Sequence, residues 1–82
     1  MLSAEVSLYP QKTARASEII NESLQSLAQQ GVNYQVGPIS TEIHGSEEQV
    51  WSGIRSLFAK ASSAGEVNMV VTFSNSAHKD QK

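Results

Sequence analysis

The hydrophobic residues of this chain alternate between the spacing of a strand and the spacing of a helix, and this succession limits the possible folds. Apolar and polar residues alternate strictly over Leu2–Tyr9, which is typical of a strand with one buried face. Pro10 ends the strand because it has no N–H to donate. From Thr13 to Gln30 the apolar residues recur every three or four positions. This spacing predicts an amphipathic helix, which Gly31 ends.

Two short alternating runs follow the first helix. They cover Val32–Val36 and Ile39–Ile43, and a glycine–proline pair, Gly37 and Pro38, separates them. Runs of this kind predict a hairpin with an irregular turn.

The start of a second helix has the clearest local signal in the chain. Ser46 can cap the helix while Gln49 reaches back to the N–H of the capping residue. Glu47 and Glu48 fall in the first turn, where the helix dipole favours negative charge. The pattern predicts a helix that ends near Gly65.

The last alternating run, Val67–Phe73, completes the order β-α-β-β-α-β. This order predicts an α+β, ferredoxin-like fold, with a four-stranded antiparallel sheet and two helices on one face. We expect residues 1–74 to form a single domain and residues 75–82 to form a polar tail. The opposite face of the sheet then has no helix to cover it. We expect it to carry Glu5, Ser7, Tyr9, Ser40, Glu42 and His44.

Composition narrows the possible functions. The chain has 82 residues, no cysteine and a formal net charge of −2, so it lacks the clustered positive charge that a nucleic-acid partner requires. No apolar run approaches the roughly 20 residues of a membrane span, and the first residues do not resemble a signal peptide. We therefore expect a cytoplasmic protein that binds neither nucleic acid nor membrane.

Enzymatic motifs are scarce. The two histidines, His44 and His78, have no nucleophile at a motif spacing, and no glycine-rich phosphate loop occurs. We expect no catalytic residue, no metal site and no cofactor.

Two segments resemble the small thiamine-binding protein family, the YkoF-like group. The first, Ala4–Pro10, is similar to the opening strand of that family, and the second, Asn33–Gly45, is similar to its second hairpin. The resemblance implies a ferredoxin-like subunit that assembles through its sheets into a homodimer or homotetramer. It also implies binding of thiamine or its hydroxymethylpyrimidine part without turnover, as a carrier, buffer or sensor component.

Such a ligand requires hydroxyl or carboxylate partners and an aromatic or apolar platform. A carboxylate or an aromatic face would also favour the cationic thiazolium of thiamine. The residues that could provide these groups, together with the turn, are Ser7, Tyr9, Tyr34, Gly37, Pro38, Ser40, Thr41, Glu42 and Trp51. Each also has a structural interpretation: turn formation for Gly37 and Pro38, and core packing for Tyr34 and Trp51. For Thr41, which falls on an apolar face, the interpretation is a threonine that suits a strand. The others have a solvated or interface position.

Ser7 and Thr41 pose a geometric problem. Strict alternation places them on opposite faces of the sheet. We therefore expect both to contact one ligand only if a bulge shifts the register or a second subunit contributes.

Two other functions fit the same fold. One is a regulatory or structural oligomerisation module whose open sheet face pairs subunits. The other is a small hydrolase of the acylphosphatase kind, which shares the β-α-β-β-α-β order. It would need an arginine in a phosphate-binding loop after the first strand, and Arg15 is the candidate.

Overall fold

The computed structural model describes residues 1–76 and contains four strands and two helices in the predicted order. The predicted tail, residues 75–82, lies outside the described residues beyond Ser76. The elements are β1 (Leu2–Pro10), α1 (Ala16–Ala28), β2 (Asn33–Val36), β3 (Thr41–Gly45), α2 (Glu47–Ser62) and β4 (Val67–Ser74).

The four strands form one antiparallel sheet in the order β2-β3-β1-β4. Buried residues on β1 and β3 pair across the centre of the sheet, with Ala4 opposite Ile43 and Val6 opposite Thr41. These side chains face the helices and form one side of the hydrophobic core. The predicted ferredoxin-like α+β fold is therefore confirmed.

The two helices pack closely because a glycine lies between them. A Cβ atom at Gly53 of α2 would lie 3.3 Å from Cδ2 of Leu27 on α1 and 3.6 Å from Cγ1 of Val32. Leu27 is fully buried. Gly53 weakens the helix intrinsically by about 1 kcal/mol relative to alanine, and in return it permits this close approach.

The predicted capping box at the start of α2 is present. The Gln49 backbone N–H donates to Ser46 Oγ at 3.1 Å, and the Ser46 N–H donates to Gln49 Oε1 at 3.0 Å. The Gln49 amide also donates to the Gly31 carbonyl at 3.3 Å, which links α2 to the turn after α1. Gly31 has a φ of +73°, as expected for a glycine that follows a helix.

Two predicted boundaries are wrong. Helix α1 begins at Ala16 and not at Thr13, because the Arg15 N–H donates to Thr13 Oγ1 at 3.0 Å in a local turn that competes with helix formation. Strand β3 begins at Thr41 and not at Ile39. Ile39 is 87 % exposed in the loop between β2 and β3, so its alternation with Thr41 and Ile43 does not reflect a strand position.

Candidate functional site

The face of the sheet opposite the helices is polar. Glu5 lies opposite Glu42 and Ser3 lies opposite His44, between the residue pairs that point into the core. These positions agree with the predicted open face. A polar, uncovered sheet face offers hydrogen-bonding groups and charges on a rigid scaffold.

A gap opens at one end of this sheet because β1 extends beyond β3. The pairing of β1 with β3 stops at Val6, opposite Thr41, whereas the pairing of β1 with β4 continues to Pro10. Ser7 therefore lies next to the loop between β2 and β3 and not next to a strand residue of β3.

The loop 37–40 closes on itself at this gap. The Gly37 N–H donates to the Ser40 carbonyl at 2.9 Å. A Cβ atom at Gly37 would lie only 3.0 Å from that carbonyl oxygen, so a side chain there would crowd the turn. A residue with a side chain at position 37 would therefore need a small shift of the Ser40 carbonyl.

Two clefts adjoin at the loop. The first, which we call the inner cleft, lies between α1 and the sheet and has a volume of about 180 Å³. Its lining consists of Val6, Ser7, Leu8, Ile20, Asn21, Leu24 and residues 36–41. The second, the outer cleft, lies on the open face and has a volume of about 460 Å³. It is lined by Glu5, Ser7, Gln35, Gly37, Pro38, Ile39, Ser40 and Glu42.

Thr41 is the most unusual group in the inner cleft. The residue is only 6 % exposed, and within residues 1–76 its hydroxyl has no hydrogen-bond partner. Buried hydroxyl groups are normally hydrogen-bonded, and an unsatisfied one costs about 1–3 kcal/mol. A ligand in the inner cleft would supply the missing partner.

Ser7 and Thr41 line the same cleft, although they lie on opposite faces. Strand β3 begins at Thr41 and leaves Ser7 at the edge of the gap, so a single copy of the chain brings both residues to this cleft with no shift in the β1–β3 register. Contact of both residues with one ligand stays a prediction.

The structure places six of the nine predicted site residues at these clefts. Ser7, Gly37, Pro38 and Ser40 line both clefts, Thr41 lines the inner one, and Glu42 lines the outer one.

The three predicted aromatic residues line neither cleft. Tyr9 lies near the end of β1, opposite Asn68. Tyr34 pairs with the buried Ile43, which places it on the helix-facing side of the edge strand β2. Trp51 is on α2 and packs against Phe73 of β4, with ring centroids 4.4 Å apart.

Nine lining residues were not among the predicted site residues, and four of them show why. Asn21 and Ile20 come from α1. Asn21 is exposed and Ile20 packs against the hydrophobic core, and neither position reveals that a cleft lies beside the helix. Gln35 and Glu5 line the outer cleft, and both are cross-strand partners of Glu42. For Glu5, the predicted open face is the signal that could have identified it.

A separate polar group lies at the other end of the open face. His44 Nδ1 is 3.1 Å from Ser3 Oγ, and His44 Nε2 is 3.7 Å from Glu42 Oε1. Within residues 1–76, no three His, Cys, Asp or Glu side chains could together hold a metal ion.

In the same part of the chain, no helix has the length and apolar character needed to cross a bilayer.

The class of domain is thus defined by a ferredoxin-like fold with two adjoining clefts at one end of an open sheet. Residues 4–82 match the family model described as thiamine-binding protein. The chain belongs to the thiamine-binding protein family, and this membership indicates a thiamine-related role. No curated protein sequence matches the chain.

Solved structures show the same fold at low sequence identity. A domain of unknown function from Bacillus cereus is 20 % identical, with a TM-score of 0.80 over 92 % of this chain and 75 % of that one. A protein from Thermotoga maritima, provisionally assigned to thiamine biosynthesis or salvage, is 17 % identical, with a TM-score of 0.79 over 92 % and 83 %. A hypothetical protein from Methanocaldococcus jannascii is 14 % identical, with a TM-score of 0.83 over 99 % and 86 %.

Proposed function

We propose that this chain binds thiamine, or its hydroxymethylpyrimidine part, reversibly and without turnover, as a carrier, buffer or sensor component in the cytoplasm. The observation that carries the proposal is the buried Thr41 hydroxyl, which lines the inner cleft and has no partner within residues 1–76. Membership of the thiamine-binding protein family supports this choice of ligand class.

The inner cleft has the chemistry that an aminopyrimidine needs. This ring has an exocyclic amine that donates and ring nitrogens that accept hydrogen bonds. The Thr41 and Ser7 hydroxyls and the Asn21 amide can pair with these groups, while Ile20 and Leu24 provide apolar contact. At about 180 Å³, the inner cleft is smaller than the usual 300–1,000 Å³ of a small-molecule site. The adjoining outer cleft provides the remaining space.

Binding without turnover is consistent with the groups that line the clefts. The lining includes hydroxyls and carboxylates but no histidine, cysteine, lysine or arginine. Arg15, the candidate for an acylphosphatase-type reaction, donates from Nε to Glu18 Oε1 at 2.6 Å. This hydrogen bond and the charge of Glu18 raise the pKa of the Arg15 guanidinium. An arginine that already pairs with a carboxylate is poorly suited to hold a phosphate.

Thermal unfolding with and without ligand tests the proposal. With thiamine at 100 times its dissociation constant, we expect a stabilisation of about 2.7 kcal/mol and a rise in midpoint of roughly 10–20 °C. Mass spectrometry of the recovered ligand should find it chemically unchanged. If neither thiamine nor hydroxymethylpyrimidine raises the midpoint, the binding proposal is wrong, and an oligomerisation module becomes the better interpretation.

We also propose that the chain forms a homodimer or homotetramer through its sheet. Strand β4 is at the edge of the sheet and contains no charged residue and no proline along Val67–Ser74. Soluble proteins usually protect such an edge with charges, prolines or bulges. Val70, which is 57 % exposed, points away from the core beside this edge. A second copy that pairs with β4 would cover both features.

The substitution Val70→Lys tests the assembly. A lysine at this position places a charge at the proposed interface, so we expect size-exclusion chromatography with light scattering to report a monomer where the unmodified chain is an oligomer. The matched control is Val36→Lys, which changes a similarly exposed valine on the opposite edge strand, β2. An unmodified chain that is already monomeric at high concentration would contradict the proposal.

A further inference from the structure

We infer that the outer cleft selects its ligand by charge, and that the chain prefers cationic, unphosphorylated thiamine to the neutral pyrimidine and to the phosphate esters of thiamine. This inference rests on the proposed function and specifies which member of the ligand class the site takes.

The first observation is an opposed pair of carboxylates at the centre of the open face. Glu5 and Glu42 are direct cross-strand partners, and both line the outer cleft. Like charges directly opposite each other on one face destabilise a sheet. A positive charge placed between them would convert this repulsion into attraction.

The described residues of the open face provide little positive charge to offset the repulsion between Glu5 and Glu42. The strand positions on this face carry no lysine or arginine along residues 1–76. Along the described strands, the ionisable base is the imidazole of His44, whose Nε2 lies 3.7 Å from Glu42 Oε1. Both Lys12 and Arg15 lie outside the strands and pair with other carboxylates, those of Glu66 and Glu18. The negative potential over the outer cleft therefore has no fixed cation to neutralise it.

The second, independent observation is the buried Thr41 hydroxyl in the neighbouring inner cleft, without a partner within residues 1–76. The two clefts share Ser7 and the loop 37–40, so they adjoin. A ligand whose hydrogen-bonding ring contacts Thr41 would extend past Ser7 toward the carboxylates. The site therefore fits a molecule with a neutral heterocycle at one end and a cation at the other.

Thiamine has this distribution of charge, since a methylene group links its aminopyrimidine to a cationic thiazolium. Hydroxymethylpyrimidine lacks the cation and would leave the two carboxylates unpaired. Thiamine diphosphate adds negative charge close to the thiazolium, where no described lysine or arginine lines the clefts to receive it. Electrostatic interactions with the two carboxylates thus favour thiamine over hydroxymethylpyrimidine and over thiamine diphosphate.

Calorimetric titration with thiamine, hydroxymethylpyrimidine and thiamine diphosphate tests the inference. We expect thiamine to bind most tightly and its affinity to fall as salt is added. In Glu5→Gln and Glu42→Gln, the ratio of thiamine affinity to pyrimidine affinity should fall about two- to fivefold. The control Glu22→Gln removes an exposed carboxylate from α1 and should leave this ratio unchanged.

The thermal stability of the free protein provides a second test that needs no ligand. Removing the repulsion in Glu5→Gln should raise the unfolding midpoint of the free protein by about 1–5 °C. If thiamine diphosphate binds as tightly as thiamine, or the glutamine variants keep the original affinity ratio, charge selection is wrong and the binding function stands. If none of the three compounds binds, the proposed function itself fails.

Discussion

The variant Thr41→Val is expected to lose ligand binding while retaining the stability of the free protein. Valine has nearly the shape of threonine but lacks the hydroxyl, and within residues 1–76 this buried hydroxyl has no partner to lose. Replacing it should therefore leave the free unfolding midpoint unchanged or slightly raised. A hydrogen bond to the ligand would disappear, so we expect calorimetry to show an affinity at least about tenfold lower.

The comparison with Thr72→Val separates this effect from a general consequence of changing a strand threonine. Thr72 is exposed on β4 and lines neither cleft, so its substitution should leave the affinity for thiamine intact. A Thr41→Val protein that binds as tightly as the original would show that the hydroxyl does not contact the ligand. A marked loss of stability in the free protein would identify Thr41 as a structural residue.

The variant Gly53→Leu is expected to produce the largest loss of stability. The site has no room for a side chain, because even a Cβ atom would lie 3.3 Å from Leu27 and 3.6 Å from Val32, and both residues are buried. Forcing a leucine between α1 and α2 should reduce the free energy of unfolding by about 3 kcal/mol. In a domain of this size, the unfolding midpoint should then fall by roughly 10–20 °C.

The control for this prediction is Ala59→Leu, which adds a comparable side chain at an exposed position of the same helix. Circular dichroism during heating should find its midpoint within a few degrees of the original. A similarly small change in Gly53→Leu would contradict the close approach of the two helices.

Much of the fold is predictable from local patterns. The period of two over β1 gives this strand to within one residue, and the capping box of Ser46 and Gln49 marks the start of α2. The open face is predictable as well, because alternation determines which side chains share a face once the helices are assigned to the other.

The end of β3 nearest the site is not predictable from the same patterns. Ile39 continues the apolar alternation of Thr41 and Ile43 but lies exposed in the loop. Periodicity reports which face a residue would occupy in a strand and contains no information on where strand pairing stops.

The candidate site depends on that missing information. Ser7 and Thr41 line the same cleft because the pairing of β1 with β3 stops at Val6. Where two strands stop pairing is a property of the tertiary structure. The contribution of Asn21 depends on how α1 lies across the sheet. The residue types needed for a pyrimidine site are thus visible in the sequence, whereas their convergence is visible only in the fold.

Backbone amide chemical shifts during a titration with thiamine would locate the bound ligand residue by residue. We expect the largest changes at Ser7 and along 37–42, where the inner and outer clefts adjoin. We expect small changes around Trp51 and Phe73, which pack together on the helix-facing side of the sheet. A spectrum that does not change, or changes centred on those two aromatic residues, would contradict binding at the two clefts.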